Sequence, residues 1–139
     1  MRLCDGLSAA LHQWGRQGYP DEVVALLLGT INDTDEITIT DFIPVANQAT
    51  DTTRHFELDP HGWLIADAQA QALGREIVGI VHTHPDGIAL PSSTDSASAE
   101  FLGCRFAYLI VSVTAAGTVT MQAWRWNGHQ FMSQRLLCR

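Results

Sequence analysis

The stretch Ile77-Val78-Gly79-Ile80-Val81-His82-Thr83-His84-Pro85 combines a short apolar run with two histidines one residue apart. An apolar run of this length is typical of a buried β-strand. Residues i and i+2 of a strand point to the same face, so His82 and His84 can direct both imidazoles to one point. The stretch therefore predicts a buried strand over residues 77–82 that ends in two converging histidine side chains.

A carboxylate further along the chain can complete this pair. Asp95 follows His84 by eleven residues, beyond a loop rich in glycine, proline and serine. Two imidazole nitrogens and one carboxylate oxygen suit Zn²⁺ with an open fourth position, which is the catalytic arrangement of zinc. Asp95 also fits the first turn of a helix capped by Ser92, where acidic side chains are favoured. Asp86 is a competing carboxylate, although its Asp-Gly sequence favours a structural turn.

The upstream sequence extends the pattern into a recognisable motif. Six positions resemble the JAMM (MPN+) motif of zinc metalloproteases: Glu22, His82, His84, Pro85, Ser92 and Asp95. In that family a glutamate precedes the first histidine by several dozen residues, within an apolar strand that ends in glycine. Residues 19–29 fit this description, although Ala25 stands where the family often has glycine. The resemblance covers roughly residues 6–131.

The resemblance implies a role for each motif residue. It implies one zinc ion per chain with three protein ligands, His82, His84 and Asp95. Zn²⁺ lowers the pKa of a bound water from about 15.7 toward ~7. Glu22 is then the general base, which takes a proton from water and passes it to the leaving amine. The Ser92 hydroxyl stabilises the oxyanion of the tetrahedral intermediate. Asp21 is a neighbouring alternative of the same chemistry as Glu22.

The resemblance also implies a substrate class. JAMM enzymes cut peptide or isopeptide bonds at the C-terminus of ubiquitin or ubiquitin-like proteins, and this chain looks like the small stand-alone bacterial members. The implied partner is a ubiquitin-like protein or a sulfur carrier of the ThiS/MoaD type with a Gly-Gly tail. Two alternatives remain, namely a non-catalytic MPN-type scaffold and a zinc amidohydrolase or deaminase that acts on small molecules. Against a deaminase, the chain lacks the P-C-x-x-C signature of that class.

Composition disfavours other classes of protein. With 8 basic and 15 acidic residues the formal net charge is −7 and no basic stripe is present, so no nucleic-acid partner is expected. No apolar run approaches the ~20 residues of a membrane span, and the start has no signal-peptide core. We therefore expect no membrane contact and a cytoplasmic location. The three cysteines, Cys4, Cys104 and Cys138, are expected to be free thiols of undetermined role, with Cys104 buried after a helix.

Apolar periodicity and turn signals predict one domain over residues 1–139. Helices are predicted at residues 7–17, 59–74 and 94–102. Strands are predicted at residues 22–28 (closed by Gly29), 37–42 (ended by Pro44), 77–82, 106–113, 118–126 and 130–136. This mixture predicts an α/β fold. The family resemblance sharpens it to an α-β-α sandwich, in which helices flank a mixed, curved sheet as in cytidine deaminases. Strand order and oligomeric state are not predicted.

Overall fold

The computed structural model describes residues 1–138 and contains three helices and eight strands in that part of the chain. The helices are α1 (Leu7–Gly18), α2 (Pro60–Ala72) and α3 (Ser93–Leu102). The strands are β1 (Arg2–Leu3), β2 (Val24–Ile31), β3 (Ile37–Val45), β4 (Glu76–Pro85), β5 (Ala107–Val113), β6 (Val119–Trp126), β7 (Phe131–Gln134) and β8 (Leu137–Cys138).

All eight strands form a single mixed sheet in the order β7-β6-β5-β4-β2-β3-β1-β8. β4 and β5 are parallel, as are β1 and its two neighbours, whereas the other pairs are antiparallel. α1 packs on one face, and α2 and α3 pack on the other. The predicted α-β-α sandwich with a mixed sheet is therefore confirmed. β4, which carries the two histidines, lies at the centre between β2 and β5.

The sheet is strongly curved. β7 and β8 lie at its opposite edges, yet only three residue steps separate Gln134 from Leu137. A chain of that length spans at most about 11 Å, so the two edges must approach each other. A second link joins distant strands, because the Arg125 guanidinium of β6 donates a hydrogen bond of 2.8 Å to the Asp35 carbonyl between β2 and β3. Curvature thus brings together parts of the sheet that the strand order separates.

Two apolar clusters fill the two faces of the sheet. The first lies under α1 and joins Leu11 to Leu27 of β2 and Val111 of β5. The second lies under α2 and α3 and joins alanines of both helices to Leu26 and Ile80. Leu26 and Leu27 belong to different clusters because successive side chains of a strand point to opposite faces. Burial on both faces explains why β2, β4 and β5 are almost continuously apolar in sequence.

Three predicted strand ends are wrong, because β2, β3 and β4 each continue beyond the predicted last residue, β4 through His82 to Pro85. β2 continues through Gly29 to Ile31, and Gly29 lies where the pairing with β3 is irregular. A Cβ at Gly29 would overlap the Thr38 carbonyl, so close approach of two backbones explains this glycine. β3 continues through Pro44. On its outer side β3 pairs with β1 over only two residues, so Pro44 lies on an open edge, where proline is tolerated.

Other differences concern the two ends of the chain. The sequence gives no strand signal for β1, which is only two residues long. The single strand predicted over residues 130–136 is wrong, because that segment contributes β7 and leads into β8 at the opposite edge.

Cys104 is exposed rather than buried, and all three cysteines are free. Within residues 1–138, no helix combines the length and apolar character needed to cross a bilayer.

Candidate metal centre

Strand β4 places the two histidine side chains on one face. His82 lies opposite Val24 of β2, and the Nε2 atoms of His82 and His84 are 3.1 Å apart. Thr83 points to the other face, and it exchanges two hydrogen bonds with Val23. The Thr83 amide donates to the Val23 carbonyl at 3.0 Å, and the Thr83 hydroxyl accepts from the Val23 amide at 2.9 Å. This pairing fixes the register that presents both imidazoles at the end of the strand.

Asp95 combines a capping position with contact to both histidines. The Ser92 hydroxyl accepts a hydrogen bond from the Asp95 amide at 3.2 Å, and the Asp95 carboxylate accepts one from the Ser92 amide at 2.8 Å. The same carboxylate directs Oδ1 to His82 Nε2 at 3.1 Å and Oδ2 to His84 Nε2 at 3.2 Å. The capping box therefore orients the carboxylate toward the imidazoles, and the two interpretations of Asp95 are compatible.

Glu22 reaches the same point from the start of β2. The prediction that it belongs to the strand is wrong, since β2 begins two residues later. Its backbone is fixed instead by a neighbouring loop: the Glu22 amide donates to the Thr52 carbonyl at 2.6 Å, and the Asn47 side chain donates to the Glu22 carbonyl at 2.7 Å. The carboxylate is buried, with 5% of the residue exposed, and Oε1 lies 4.0 Å from His82 Nε2.

The donor atoms fit a tetrahedral metal ion. One donor atom from each of Glu22, His82, His84 and Asp95 lies within 4.8 Å of the other three. The two imidazole Nε2 atoms are 3.1 Å apart, and each lies 3.1–3.2 Å from a different Asp95 oxygen. These separations approach the roughly 3.3–3.4 Å expected between ligands in a tetrahedron with bonds of about 2.0–2.1 Å. His84 Nδ1 lies 2.8 Å from the Ile88 carbonyl, which favours a proton on Nδ1 and leaves Nε2 free to bind a cation.

Burial and mutual contact shift the pKa values of the four groups. Burial raises the pKa of Glu22 to about 7, opposed by the His84 charge and reinforced by the Asp95 charge. Burial also acts to raise the pKa of Asp95, but hydrogen bonds from both histidines outweigh it and hold this pKa well below its usual range. Burial lowers the pKa of His82. Burial alone would lower the pKa of His84, but the hydrogen bonds to Asp95 and to the Ile88 carbonyl, together with the charges of Asp95 and Glu22, outweigh burial and raise this pKa. An ionised carboxylate beside a buried neutral imidazole is a suitable pair of metal ligands.

The two competing carboxylates have other partners. The Asp86 carboxylate accepts hydrogen bonds from the Tyr19 hydroxyl at 2.6 Å and from the Ala115 amide at 3.1 Å, so it holds the loop after β4. The Asp21 carboxylate is on the surface and accepts from the Thr52 hydroxyl at 2.8 Å. Neither belongs to the four-residue cluster. Both therefore support neighbouring segments of the site.

A cavity of about 270 Å³ opens in front of the cluster. Its lining includes Ser92 and Thr94 together with Thr53, Arg54 and His55 of the loop between β3 and α2. Sequence reasoning treats that loop as polar connecting chain and misses its contribution. The loop carries no local motif, and its residues reach the cavity only through the long-range contacts that also fix Glu22.

Phe56 is a further contributor that sequence reasoning misses. Its ring packs against the imidazole of His82, with centroids 4.5 Å apart. His82 Nδ1 is buried and lacks a hydrogen-bond partner among the described residues. Packing against the Phe56 ring therefore helps to fix the orientation of the His82 imidazole, in place of a hydrogen bond to Nδ1. The only available signal is an aromatic residue in a polar stretch, which does not identify its partner.

Comparisons with known proteins agree with this geometry. Residues 5–127 match the family described as prokaryotic homologs of the JAB domain. A relative from Haloferax volcanii, named Desampylase, is 34% identical over 112 residues, which represent 81% of this chain and 74% of the relative. The family match thus includes every residue of the four-residue cluster.

Solved structures show the same fold. A protein from Salinibacter ruber superposes with a TM-score of 0.78 at 30% identity, covering 100% of this chain and 92% of that one. A protein from Desulfitobacterium hafniense superposes with a TM-score of 0.86 at 23% identity, covering 100% and 93%. A JAB1/MPN domain protein from Archaeoglobus fulgidus gives a TM-score of 0.63 at 18% identity, covering 100% and 97%. The resemblance to the JAMM/MPN+ family is confirmed, and the chain belongs to its prokaryotic branch, the homologs of the JAB domain.

Proposed function

We propose that this chain is a zinc-dependent hydrolase that cleaves a peptide or isopeptide bond at the C-terminus of a ubiquitin-like or sulfur-carrier protein. The observation that carries the proposal is the buried Glu22 carboxylate beside a His82–His84–Asp95 cluster that fits a tetrahedral ion. The relative named Desampylase supports the substrate class, because that name denotes removal of a ubiquitin-like modifier.

The residues of the site divide the work of amide hydrolysis. His82, His84 and Asp95 would hold one Zn²⁺, which supplies Lewis acidity at the scissile carbonyl and an acidified water when bound. Glu22 takes the proton from the attacking water and returns it to the leaving nitrogen, giving a carboxylic acid and an amine. A carboxyl whose pKa is raised to about 7 suits both transfers, since it can accept and donate near neutral pH.

The Ser92 hydroxyl is positioned to donate to the oxyanion. Its oxygen accepts from the Asp95 amide, so its hydrogen remains available to the cavity that Ser92 lines. We expect Ser92→Ala to lower kcat by about 10²–10³-fold, because one oxyanion donor is lost. The same change removes a helix N-cap worth about 1 kcal/mol, so the free energy of unfolding must be measured in parallel.

Ser92→Thr provides the matched control, because threonine retains both the hydroxyl and the cap. Ser92→Thr should recover much of the kcat that Ser92→Ala loses. If Ser92 had only a structural role, kcat of the variants would instead decrease in parallel with their free energy of unfolding. Equal kcat for wild type and Ser92→Ala at a temperature where both are folded would contradict the oxyanion role.

The test of the proposed function uses zinc-loaded protein and a panel of fusion proteins. Each fusion joins a ubiquitin-like carrier or a ThiS/MoaD-type carrier to a reporter through its C-terminal Gly-Gly, and matched fusions carry Ala-Ala instead. We expect the protein to cleave the fusions after Gly-Gly and to cleave the Ala-Ala fusions far more slowly. The products are identified by intact mass spectrometry. Equal cleavage of both tails would contradict the Gly-Gly substrate class. Faster turnover of simple amides than of any fusion would favour a small-molecule amidohydrolase. Binding of carriers without any turnover would favour the scaffold.

A further inference from the structure

Two side chains from the neighbouring strands hold the loop that follows β4, residues 86–89. The Ser112 hydroxyl of β5 donates a hydrogen bond to the Gly87 carbonyl, and the Trp124 indole of β6 donates one to the Ala89 carbonyl at 3.2 Å. Ser112 is buried, and Trp124 packs against the apolar cluster under α2 and α3. Both donors therefore come from regular strands of the sheet, whereas both acceptors belong to irregular chain. We call residues 86–89 the anchored loop.

The anchored loop carries the carbonyl that contacts a histidine of the metal-binding cluster. Ile88 lies between the two held carbonyls, and its own carbonyl lies 2.8 Å from Nδ1 of His84. The Ile88 residue is 67% exposed, so it contributes its backbone to the site and not its side chain. Because peptide groups are planar, holding the groups on either side leaves the group between them little freedom to rotate. Ser112 and Trp124 thus act on His84 through the backbone of Ile88.

A separate set of contacts fixes the start of the anchored loop. The Asp86 amide donates to the Val113 carbonyl at 2.7 Å, and the Asp86 carboxylate accepts from the Tyr19 hydroxyl and the Ala115 amide. The φ angle of Asp86 is 56°, in the left-handed region, which is uncommon outside glycine and is maintained here by these contacts. The start of the loop is therefore fixed independently, so loss of a later anchor should displace only the segment beyond it.

The two histidines of the cluster are oriented in different ways. Nδ1 of His82 lacks a hydrogen-bond partner among residues 1–138, and its ring packs against Phe56. His84 is less buried, and its Nδ1 contacts the Ile88 carbonyl. Such a contact at the second nitrogen strengthens metal binding, because it fixes the tautomer and the ring orientation before the metal arrives. The metal affinity of the site should therefore depend on the groups that hold this carbonyl.

We propose that Ser112 and Trp124 are positioning residues of the metal centre, which hold the anchored loop so that the Ile88 carbonyl orients His84 for metal binding. The inference rests on the proposed function for the presence of zinc. It extends the metal centre to β5 and β6, two strands that contribute no residue to the four-residue cluster.

The zinc affinity of the folded protein tests this proposal without any substrate. The zinc Kd is measured on metal-free protein by competition with a chromophoric chelator. We expect Ser112→Ala and Trp124→Phe each to raise the zinc Kd about tenfold, the low end of the roughly 10–100-fold that follows removal of a residue which supports a metal ligand. If the two residues had only a structural role, the free energy of unfolding of the metal-free protein would decrease and the zinc Kd would not change.

Tyr108→Phe is the matched control, because it also removes one side-chain donor from β5. The Tyr108 hydroxyl donates to the Gly103 carbonyl at 2.7 Å, at the opposite end of α3 from Asp95. This variant should keep the zinc Kd of wild type. Equal zinc Kd values for wild type, Ser112→Ala and Trp124→Phe would overturn the proposal and leave the hydrolase intact. A wild-type protein that binds no zinc would overturn both.

Cobalt provides a spectroscopic readout of the ligand arrangement. Co²⁺ bound in place of zinc absorbs visible light, and the positions and intensities of its bands depend on the geometry of its ligands. We expect Ser112→Ala and Trp124→Phe to change these bands relative to wild type, and Tyr108→Phe to leave them unchanged. Weaker zinc binding with unchanged cobalt bands in both variants would overturn the proposal that the two residues act through the orientation of His84.

Discussion

Replacement of Glu22 by glutamine is expected to lower the rate of hydrolysis by about 10²–10⁴-fold, with the zinc content unchanged. Glutamine keeps the size and burial of the side chain but cannot accept the proton of water. The three residues that would hold the metal retain their mutual contacts without it. The measurement is kcat/KM on a cleavable carrier fusion, with elemental mass spectrometry on the same preparations.

Asp21→Asn is the control for this experiment. Asp21 is the adjacent carboxylate, but it is exposed and paired with Thr52 outside the cluster. It should retain activity close to that of wild type. Wild-type rates in Glu22→Gln together with an inactive Asp21→Asn would transfer the role of base to Asp21. The pair of variants thus decides between two carboxylates that the sequence alone leaves as alternatives.

The position of Glu22 explains why its environment differs so much from that of Asp21. The backbone of Glu22 is tied to the loop between β3 and α2 through Thr52 and Asn47. Its side chain turns inward toward His82, where burial raises the pKa to about 7. Two neighbouring carboxylates in the segment before β2 therefore have different environments: that of Glu22 is buried beside the cavity, and that of Asp21 is exposed to solvent.

The parts of the fold and site that the sequence predicts are the local ones. The apolar run of β4 and the i, i+2 spacing of His82 and His84 require only strand geometry, and the structure brings these imidazoles together. The capping box likewise joins two residues, Ser92 and Asp95, that are only three positions apart in the sequence. Each pattern is contained in one element, so propensity and periodicity are sufficient to recognise it.

The parts that the sequence does not predict depend on long-range contacts. Strand order, and the closure that brings β7 and β8 near each other, follow from pairings between distant segments. Thr53, Arg54 and His55 line the cavity because a polar loop folds over Glu22, in the segment that precedes β2. The apolar groove between α2 and α3 requires two helices whose relative position only the sheet determines. Gly29 is another example. From the sequence alone, a glycine that allows two strand backbones to approach closely cannot be distinguished from a glycine that ends a strand.

His84→Ala is expected to abolish zinc binding and, with it, hydrolysis. His84 Nε2 lies 3.1 Å from His82 Nε2 and 3.2 Å from Asp95 Oδ2, so its removal opens one corner of the ligand triangle. The loss of affinity should exceed the roughly 10–100-fold that follows removal of a residue which only supports a ligand. Elemental mass spectrometry of tag-free protein should find about one zinc per chain in wild type, as in a catalytic site with three protein ligands.

His55→Ala is the matched control, because His55 lines the same cavity but does not belong to the cluster. It should retain zinc. Excess zinc should also raise the free energy of unfolding of wild type, by about 2.7 kcal/mol at a free concentration of 100 Kd, while leaving that of His84→Ala unchanged. This second readout does not depend on any substrate. Zinc-free wild type after reconstitution, or equal zinc in wild type and His84→Ala, would contradict the metal site and leave the scaffold as the better account of this chain.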